Sequence, residues 1–161
     1  MAANTKDLDF IDQHILAAIQ NDGRMTIVEL ADRVGITKSP CLARLRALEK
    51  GGYILGYRAL LDAKKLGQGY LVYVQVKLLD TTLARLEEFN HAVRQIPQVQ
   101  SCHMMSGGYD YLLKVRTRDM DEYRLLLGDV LSRLPGIGQT STYPVMEEVK
   151  DTMAVAFMGP A

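Results

Sequence analysis

The chain has 161 residues, of which 48% are hydrophobic and 24% charged, and its 19 basic residues balance its 19 acidic ones. This length holds one large or two small domains, and the composition is that of an ordinary globular protein. No apolar run reaches the roughly 18 residues of a membrane span, and the acidic N-terminus lacks the apolar core of a signal peptide, so we expect a cytoplasmic protein.

Residues 1–61 are predicted to form a three-helix unit. The first helix runs from Asp9 to about Gln20, because apolar residues including Ile11 and Ile15 recur there at helical spacing. After the third helix, residues 53–61 have a strand-like pattern with a central glycine. This run would form a wing or an arm that leads to the next domain.

Residues 27–46, approximately, have the pattern of a helix-turn-helix. Thr26 and Glu29 form a capping-box pattern at the start of the second helix, and Gly35 is a typical helix stop. Thr37 can cap the third helix, which tolerates a proline in its first turn. The buried stripe of the third helix would consist of Leu42, Leu45 and Leu48.

The third helix and its flanks are locally basic. From Arg33 to Arg58 there are six cations and one anion, so the neutral chain contains a cationic patch. A recognition helix places short polar and cationic side chains of its N-terminal part in the major groove. The alternative is a solvated helical hairpin, but a preceding helix that completes a small core favours DNA binding. The candidate DNA-binding residues are Arg24, Thr37, Lys38, Ser39, Pro40, Arg44 and Arg46.

A hinge at residues 62–67 leads to a second predicted domain, residues 68–161. Alternating apolar residues predict a strand from Tyr70 to Leu79, and strands are also predicted over 99–106, 109–117 and 137–149. Two helices, which end near Pro97 and Pro135, lie between them. The order β-α-β-β-α-β is typical of a ferredoxin-like sheet with both helices on one face, so the fold class is α+β.

The other face of this sheet would be open in a monomer. Leu71 and Tyr73 would then be exposed apolar surface, which a second copy of the chain could cover. A dimer also suits DNA recognition, because two recognition helices one DNA turn apart match a pseudo-palindromic site.

Other chemistry finds little support in the sequence. The three histidines form no metal-binding array with other ligands, and Cys41 and Cys102 are interpreted as packing residues. Glu147 and Glu148 are adjacent on a strand and point to opposite faces, so they cannot form a catalytic pair. A small enzyme remains a second class, and an amino-acid sensor without DNA binding a third. A sensor that does not bind DNA would be expected to lack the polar and cationic residues of a recognition helix. This chain retains them: Lys38, Ser39, Arg44 and Arg46.

The chain resembles the Lrp/AsnC family of bacterial and archaeal transcription regulators, and the leucine-responsive branch most closely. The resemblance covers residues 7–151 and depends on the order and spacing of several motifs. These motifs include Leu8-Asp9-x-Ile11-Asp12, Glu29-Leu30-Ala31-x-Arg33-Val34-Gly35, Pro40-Cys41-Leu42-x-Arg44-x-Arg46, Ser106-Gly107-x-Tyr109-Asp110-Tyr111 and Tyr143-x-Val145-Met146-Glu147-Glu148.

The resemblance implies a DNA-binding regulator without a cofactor, whose second domain dimerises and binds an amino acid, with leucine or another aliphatic amino acid favoured. It also implies assembly of dimers into octamers or larger discs, with the effector between dimers. The implied effector-binding residues are Met105, Ser106, Gly107, Gly108, Tyr109 and Asp110, with Thr140, Ser141 and Thr142 contributed by a neighbour.

The chemistry of these residues suits a zwitterion. The two glycines let backbone N–H groups approach a carboxylate, Asp110 could accept from the ammonium, and the hydroxyls could complete the site. The alternative is that Gly107 and Gly108 simply form a hairpin turn and that Asp110 is a solvated strand residue.

Overall fold

The computed structural model describes residues 8–156, and the described chain divides into two compact units. The helical unit comprises residues 8–60 together with residues 151–156, and the sheet unit comprises residues 61–150. The sequence had assigned everything from residue 68 to the second domain; residues 1–7 and 157–161 lie outside the described residues. Residues 151–156 group with the helical unit because Gln20 binds their backbone: its Nε2 donates to Val155 O (2.9 Å) and Val155 N donates to its Oε1 (2.7 Å).

The helical unit contains α1 (Phe10–Asn21), α2 (Ile27–Val34) and α3 (Lys38–Lys50). The predicted capping box of α2 is confirmed, since Glu29 N donates to Thr26 Oγ1 and Thr26 N donates to Glu29 Oε2. Gly35 ends α2 in the left-handed conformation, with φ of 73°, which glycine adopts without a Cβ clash. The core of this unit is formed by Ile15, Leu16, Ala18, Leu30, Ala31, Val34, Cys41 and Leu48.

One prediction about this unit is wrong, and two others are refined. The predicted buried stripe of α3 is wrong at Leu42, which is only partly buried. Cys41 and Leu48 are the buried residues of α3, because positions seven apart share one helix face. Thr37 is the N-cap residue of α3, as predicted, but its side chain makes no capping hydrogen bond within the described chain. The described run 53–61 contains no strand, because a strand-like pattern needs a neighbouring strand to pair with; of the two predicted forms, the run is the connecting arm.

The sheet unit has the predicted β-α-β-β-α-β order. Its elements are β1 (Tyr70–Leu78), α4 (Leu83–Val93), β2 (Val99–Met104), β3 (Tyr111–Thr117), α5 (Met120–Asp129) and β4 (Ile137–Pro144). A short 3-10 helix, Leu131–Arg133, follows α5. The strands form one antiparallel sheet in the order β2-β3-β1-β4, which confirms the ferredoxin-like architecture. Strand β4 ends earlier than predicted, because β1 begins at Tyr70 and offers β4 no further partner beyond Val145.

Alternation along β1 decides which face of the sheet is buried. Val72, Val74 and Val76 are at most 1% exposed and pack with Phe89 and Tyr123 from the two helices. These contacts make the helix-covered face the core of the sheet unit. Among the described residues, no helix is both long and apolar enough to cross a membrane.

The opposite, open face of the sheet is less exposed than predicted. Tyr73 is half-buried, and Leu71 is only 6% exposed, so the predicted exposure of Leu71 is wrong. The chain that follows β4 lies close to Leu71, since Val145 N donates to Leu71 O (2.9 Å). Glu148 also forms an ion pair with Arg116, the cross-strand neighbour of Leu71 (2.9 Å).

Candidate nucleic-acid interface and ligand site

The outward face of α3 is the candidate nucleic-acid interface. Because an α-helix has about 3.6 residues per turn, Ser39, Ala43 and Arg46 lie opposite the buried residues Cys41 and Leu48. Ser39 and Arg46 are exposed. This face therefore presents a short polar side chain, a small apolar one and a cation on a helix of 13 residues.

The remaining N-terminal candidates are also exposed. Thr37, Lys38 and Pro40 surround the start of α3, and Arg24 lies in the turn between α1 and α2, where its backbone N–H donates to Asp22 Oδ1 (2.9 Å). A helix start surrounded by exposed polar groups and cations is suited to contacts with phosphates and base edges.

Arg44 lies off this outward face, although its side chain is still 36% exposed. Its Nη1 lies 2.6 Å from Asp9 Oδ2 and 2.8 Å from Asp12 Oδ1. Hydrogen bonds to Asp12 and then Asp9 raise the pKa of the guanidinium. The backbone N–H of Asp12 and then the Arg44 side chain lower the pKa of Asp9. The structure thus neutralises one charge of the predicted cationic patch.

The candidate ligand loop, residues 105–110, joins β2 to β3. Met105 N donates to Asp110 O (2.9 Å) and closes the loop. Residues 105–108 are exposed, and Tyr109 is half-buried. Gly107 has φ of 157°, while a Cβ at this position would meet no atom of the described chain within 4 Å. Backbone conformation, rather than crowding, therefore favours glycine there.

Asp110 anchors this loop to β1. Its carboxylate accepts from Leu78 N (2.7 Å) and from Lys77 Nζ (3.1 Å), and its own N–H donates to Val76 O (2.8 Å). The Leu78 N–H, and secondarily Lys77, lower the pKa of this carboxyl. Asp110 is therefore neither the solvated strand residue of the alternative interpretation nor an unengaged acceptor for an ammonium.

Lys77 is a charged neighbour of the loop that the sequence did not single out. It lies on the open face of β1 with half of its side chain exposed. Its position at the end of β1 beside Asp110 depends on strand register, for which the sequence contains no direct signal.

The three hydroxyl residues of β4 do not share one face. Thr140 and Thr142 pair with Val76 and Val74 on the helix-covered side, and Ser141 pairs with Gln75 on the open side. The hydroxyls of Thr142 and Tyr123 are 2.6 Å apart. Strand β1 separates these residues from the loop by two strand spacings, roughly 10 Å. Within one chain, the structure does not bring the two predicted halves of the ligand site together.

The structure offers little else for metal or thiol chemistry. In the described residues, no group of three or more His, Cys, Asp or Glu side chains could hold a metal ion. Cys41 and Cys102 are unpaired. Burial raises the pKa of both thiols, that of Cys102 to about 11, which keeps them protonated and poorly nucleophilic near neutral pH.

Comparison with known proteins decides the family. The Lrp/AsnC ligand binding domain matches residues 71–155, and the winged helix-turn-helix DNA-binding domain matches residues 8–54. The chain belongs to the Lrp/AsnC family. As in other Lrp/AsnC regulators, its helical part is a DNA-binding helix-turn-helix domain, and its sheet part is a ligand-binding domain.

Individual Lrp/AsnC relatives cover nearly the whole chain. The proline dehydrogenase transcriptional activator of Rhizobium radiobacter is 51% identical over 148 residues, which span 92% of this chain and 95% of that protein. The leucine-responsive regulatory protein of Escherichia coli K12 is 50% identical over 147 residues, 91% of this chain and 90% of that protein. A solved Neisseria meningitidis transcriptional regulator in complex with L-Met is 34% identical, with a TM-score of 0.88 over 92% of this chain and 96% of that one.

Proposed function

We propose that this Lrp/AsnC protein is a sequence-specific transcriptional regulator whose DNA binding and oligomeric state respond to an amino acid, leucine or another aliphatic amino acid being favoured. The outward face of α3 is the observation that carries the proposal. An exposed Ser39 and Arg46, on a helix whose other face is buried, form a surface that a DNA groove can accept.

The proposed DNA partner is a double-stranded, pseudo-palindromic site. Arg46 and Ser39 are assigned to the groove, since they occupy the centre of the outward face. Residues at the helix start and in the preceding turn are assigned to the backbone, where phosphate contacts position the protein. This second set comprises Arg24, Thr37, Lys38 and Pro40.

The proposed effector site includes residues 105–110 of one chain and Thr140 and Ser141 of a neighbouring chain. The exposed backbone of Gly107 and Gly108 would receive the carboxylate of the amino acid. The hydroxyl of Thr142 is less available to a ligand, because it already bonds that of Tyr123. A relative of known structure was solved with L-Met, and a curated relative is named for leucine, which supports an apolar amino acid.

We propose a cytoplasmic homodimer that assembles further into an octamer or a larger disc. The half-buried Tyr73 on the open sheet face supports the dimer. Ligand at the dimer–dimer interface would shift the equilibrium between assembly states and so change which arrays of half-sites can be bound together.

Two experiments test this function. Selection from a random pool of double-stranded oligonucleotides should enrich a two-fold symmetric sequence. A thermal-shift screen against the twenty amino acids should give the largest rise in Tm with an aliphatic amino acid or methionine, because a ligand of the native state stabilises it by about 2.7 kcal/mol at 100 times Kd. Enrichment of no sequence would refute the proposal of DNA recognition.

The alternative is an oligomeric amino-acid sensor that does not bind DNA. It predicts that an amino acid raises Tm and changes assembly size while the oligonucleotide selection enriches nothing. We propose no enzymatic activity, since the relatives are transcriptional regulators.

A further inference from the structure

Arg44 is the cation of α3 that the fold directs towards α1. It follows Cys41 by three positions and precedes Leu48 by four, so it lies beside the buried stripe of the helix, with its side chain 36% exposed. Arg46, only two residues later, lies about 200° further around the helix axis and is exposed. Two neighbouring arginines of one helix therefore have different surroundings.

Asp9 and Asp12, the partners of Arg44, also form the capping box of α1. Asp12 N donates to Asp9 Oδ1 (2.9 Å), and Asp9 N donates to Asp12 Oδ2 (3.4 Å). The second oxygen of each carboxylate accepts a hydrogen bond from Arg44 Nη1, which lies 2.6 Å from Asp9 Oδ2 and 2.8 Å from Asp12 Oδ1. All four carboxylate oxygens are thus divided between the helix cap and the arginine.

This geometry links the start of α1 to the middle of α3. If Arg44 turned to a phosphate, it would leave two carboxylates unpaired near the DNA backbone, and they would repel it. The Asp12 side chain is only 16% exposed, so water could solvate its carboxylate only weakly after Arg44 had left.

We infer that Arg44 is a positioning residue, which holds α3 against the capping box of α1 so that the outward face is presented to DNA, and that it does not itself contact the DNA. The inference depends on the proposed DNA-binding function. It assigns to Asp9 and Asp12, two acidic residues outside the outward face, a role in DNA affinity.

The salt dependence of operator affinity distinguishes positioning from contact. A lysine or arginine that contacts a phosphate releases about one counterion, and its removal lowers the slope of log K against log salt by about 1. A positioning residue lowers affinity and leaves the slope unchanged. If Arg44 is a positioning residue, removal of its acidic partner Asp12 should also weaken DNA binding, although this substitution makes the helical unit more positive.

The test measures affinity for the selected oligonucleotide over a series of salt concentrations, with each variant shown by circular dichroism to be folded. We expect Arg44→Gln and Asp12→Ala each to weaken binding roughly tenfold with the parental slope, and the double variant to be no weaker than the worse single variant. Lys38→Gln, which removes an exposed cation of the same helix that is assigned to the DNA backbone, should lower the slope by about 1.

A lowered slope for Arg44→Gln, or an Asp12→Ala protein that binds as tightly as the parent, would overturn the inference. If Arg44→Gln does not fold, Arg44→Lys and Asp12→Ala carry the test. Arg44→Lys keeps the charge and should bind more tightly than Asp12→Ala, with the parental slope; the reverse order would contradict the inference. Failure of the proposed function is a different result, since the unsubstituted protein would then select no oligonucleotide.

Discussion

At the scale of single residues, Asp110 has the best-defined contacts of the candidate ligand site. Asp110→Ala should lower the free energy of unfolding by about 1–3 kcal/mol, because the Leu78 N–H loses its acceptor. Asp110→Asn retains an amide oxygen for that N–H and should cost less. Urea denaturation at pH 7 measures both variants, and an Asp110→Ala protein as stable as the parent would disprove the anchoring role.

The same residue makes a prediction about acid stability. The folded state lowers the pKa of the Asp110 carboxyl below its ordinary value of 3.8. Its stabilising contribution is therefore complete above that value and is lost as the pH falls through the folded-state pKa. Between pH about 5 and about 2, the parent should lose more stability than Asp110→Asn. Parallel pH profiles of the two proteins would contradict this.

Residue roles were predicted less well than residue types. The sequence indicated a locally basic helix and a glycine-containing loop, and both are present. It did not separate Arg44 from Arg46 because the buried stripe was assigned to three leucines, whereas Cys41 takes one of the core positions. The contact of Asp110 with Leu78 depends on strand register across some thirty residues of sequence, which local patterns do not encode.

At the scale of elements, the capping box of α2 offers a direct test. Thr26→Ala should destabilise the protein by about 1 kcal/mol, because the Glu29 N–H loses its cap. Thr26→Ser retains the hydroxyl and serves as the matched control. Thermal and urea unfolding of the three proteins compare them, and equal stability of all three would refute a contribution of the cap.

The contact between Gln20 and the segment 151–156 gives a second prediction at the scale of elements. Gln20→Ala removes both hydrogen bonds to Val155, so the backbone amides of residues 151–156 should exchange with solvent faster. Hydrogen exchange followed by mass spectrometry measures this on the full chain. Gln13→Ala, on the same helix, should leave the exchange of these residues unchanged; an equal effect of both variants would argue against a specific contact.

Elements with strong local signals were predicted well, and those that depend on distant partners were not. The helices of the first unit and the alternation of β1 follow from periodicity and capping residues. The early end of β4, the missing strand in residues 53–61 and the docking of Val155 on Gln20 each depend on which backbone lies alongside. A pattern of side chains contains no information on that neighbour.

At the scale of the whole molecule, the sheet unit is attached to the helical unit at both of its chain ends. The chain enters it after Leu60 and leaves it after Lys150. In the proposed function, a ligand that alters assembly through the sheet unit affects DNA binding through these two chain connections. Thermodynamic linkage requires that DNA alter the affinity for the amino acid by the same factor by which the amino acid alters affinity for DNA.

Titration of the selected oligonucleotide with and without the amino acid that most raises Tm tests the central claim most directly, with assembly size followed by sedimentation velocity in the same samples. We expect the amino acid to change DNA affinity by a factor of roughly 5 to 150 and to shift the assembly size. DNA affinity and assembly size that stay constant with every one of the twenty amino acids would contradict the account.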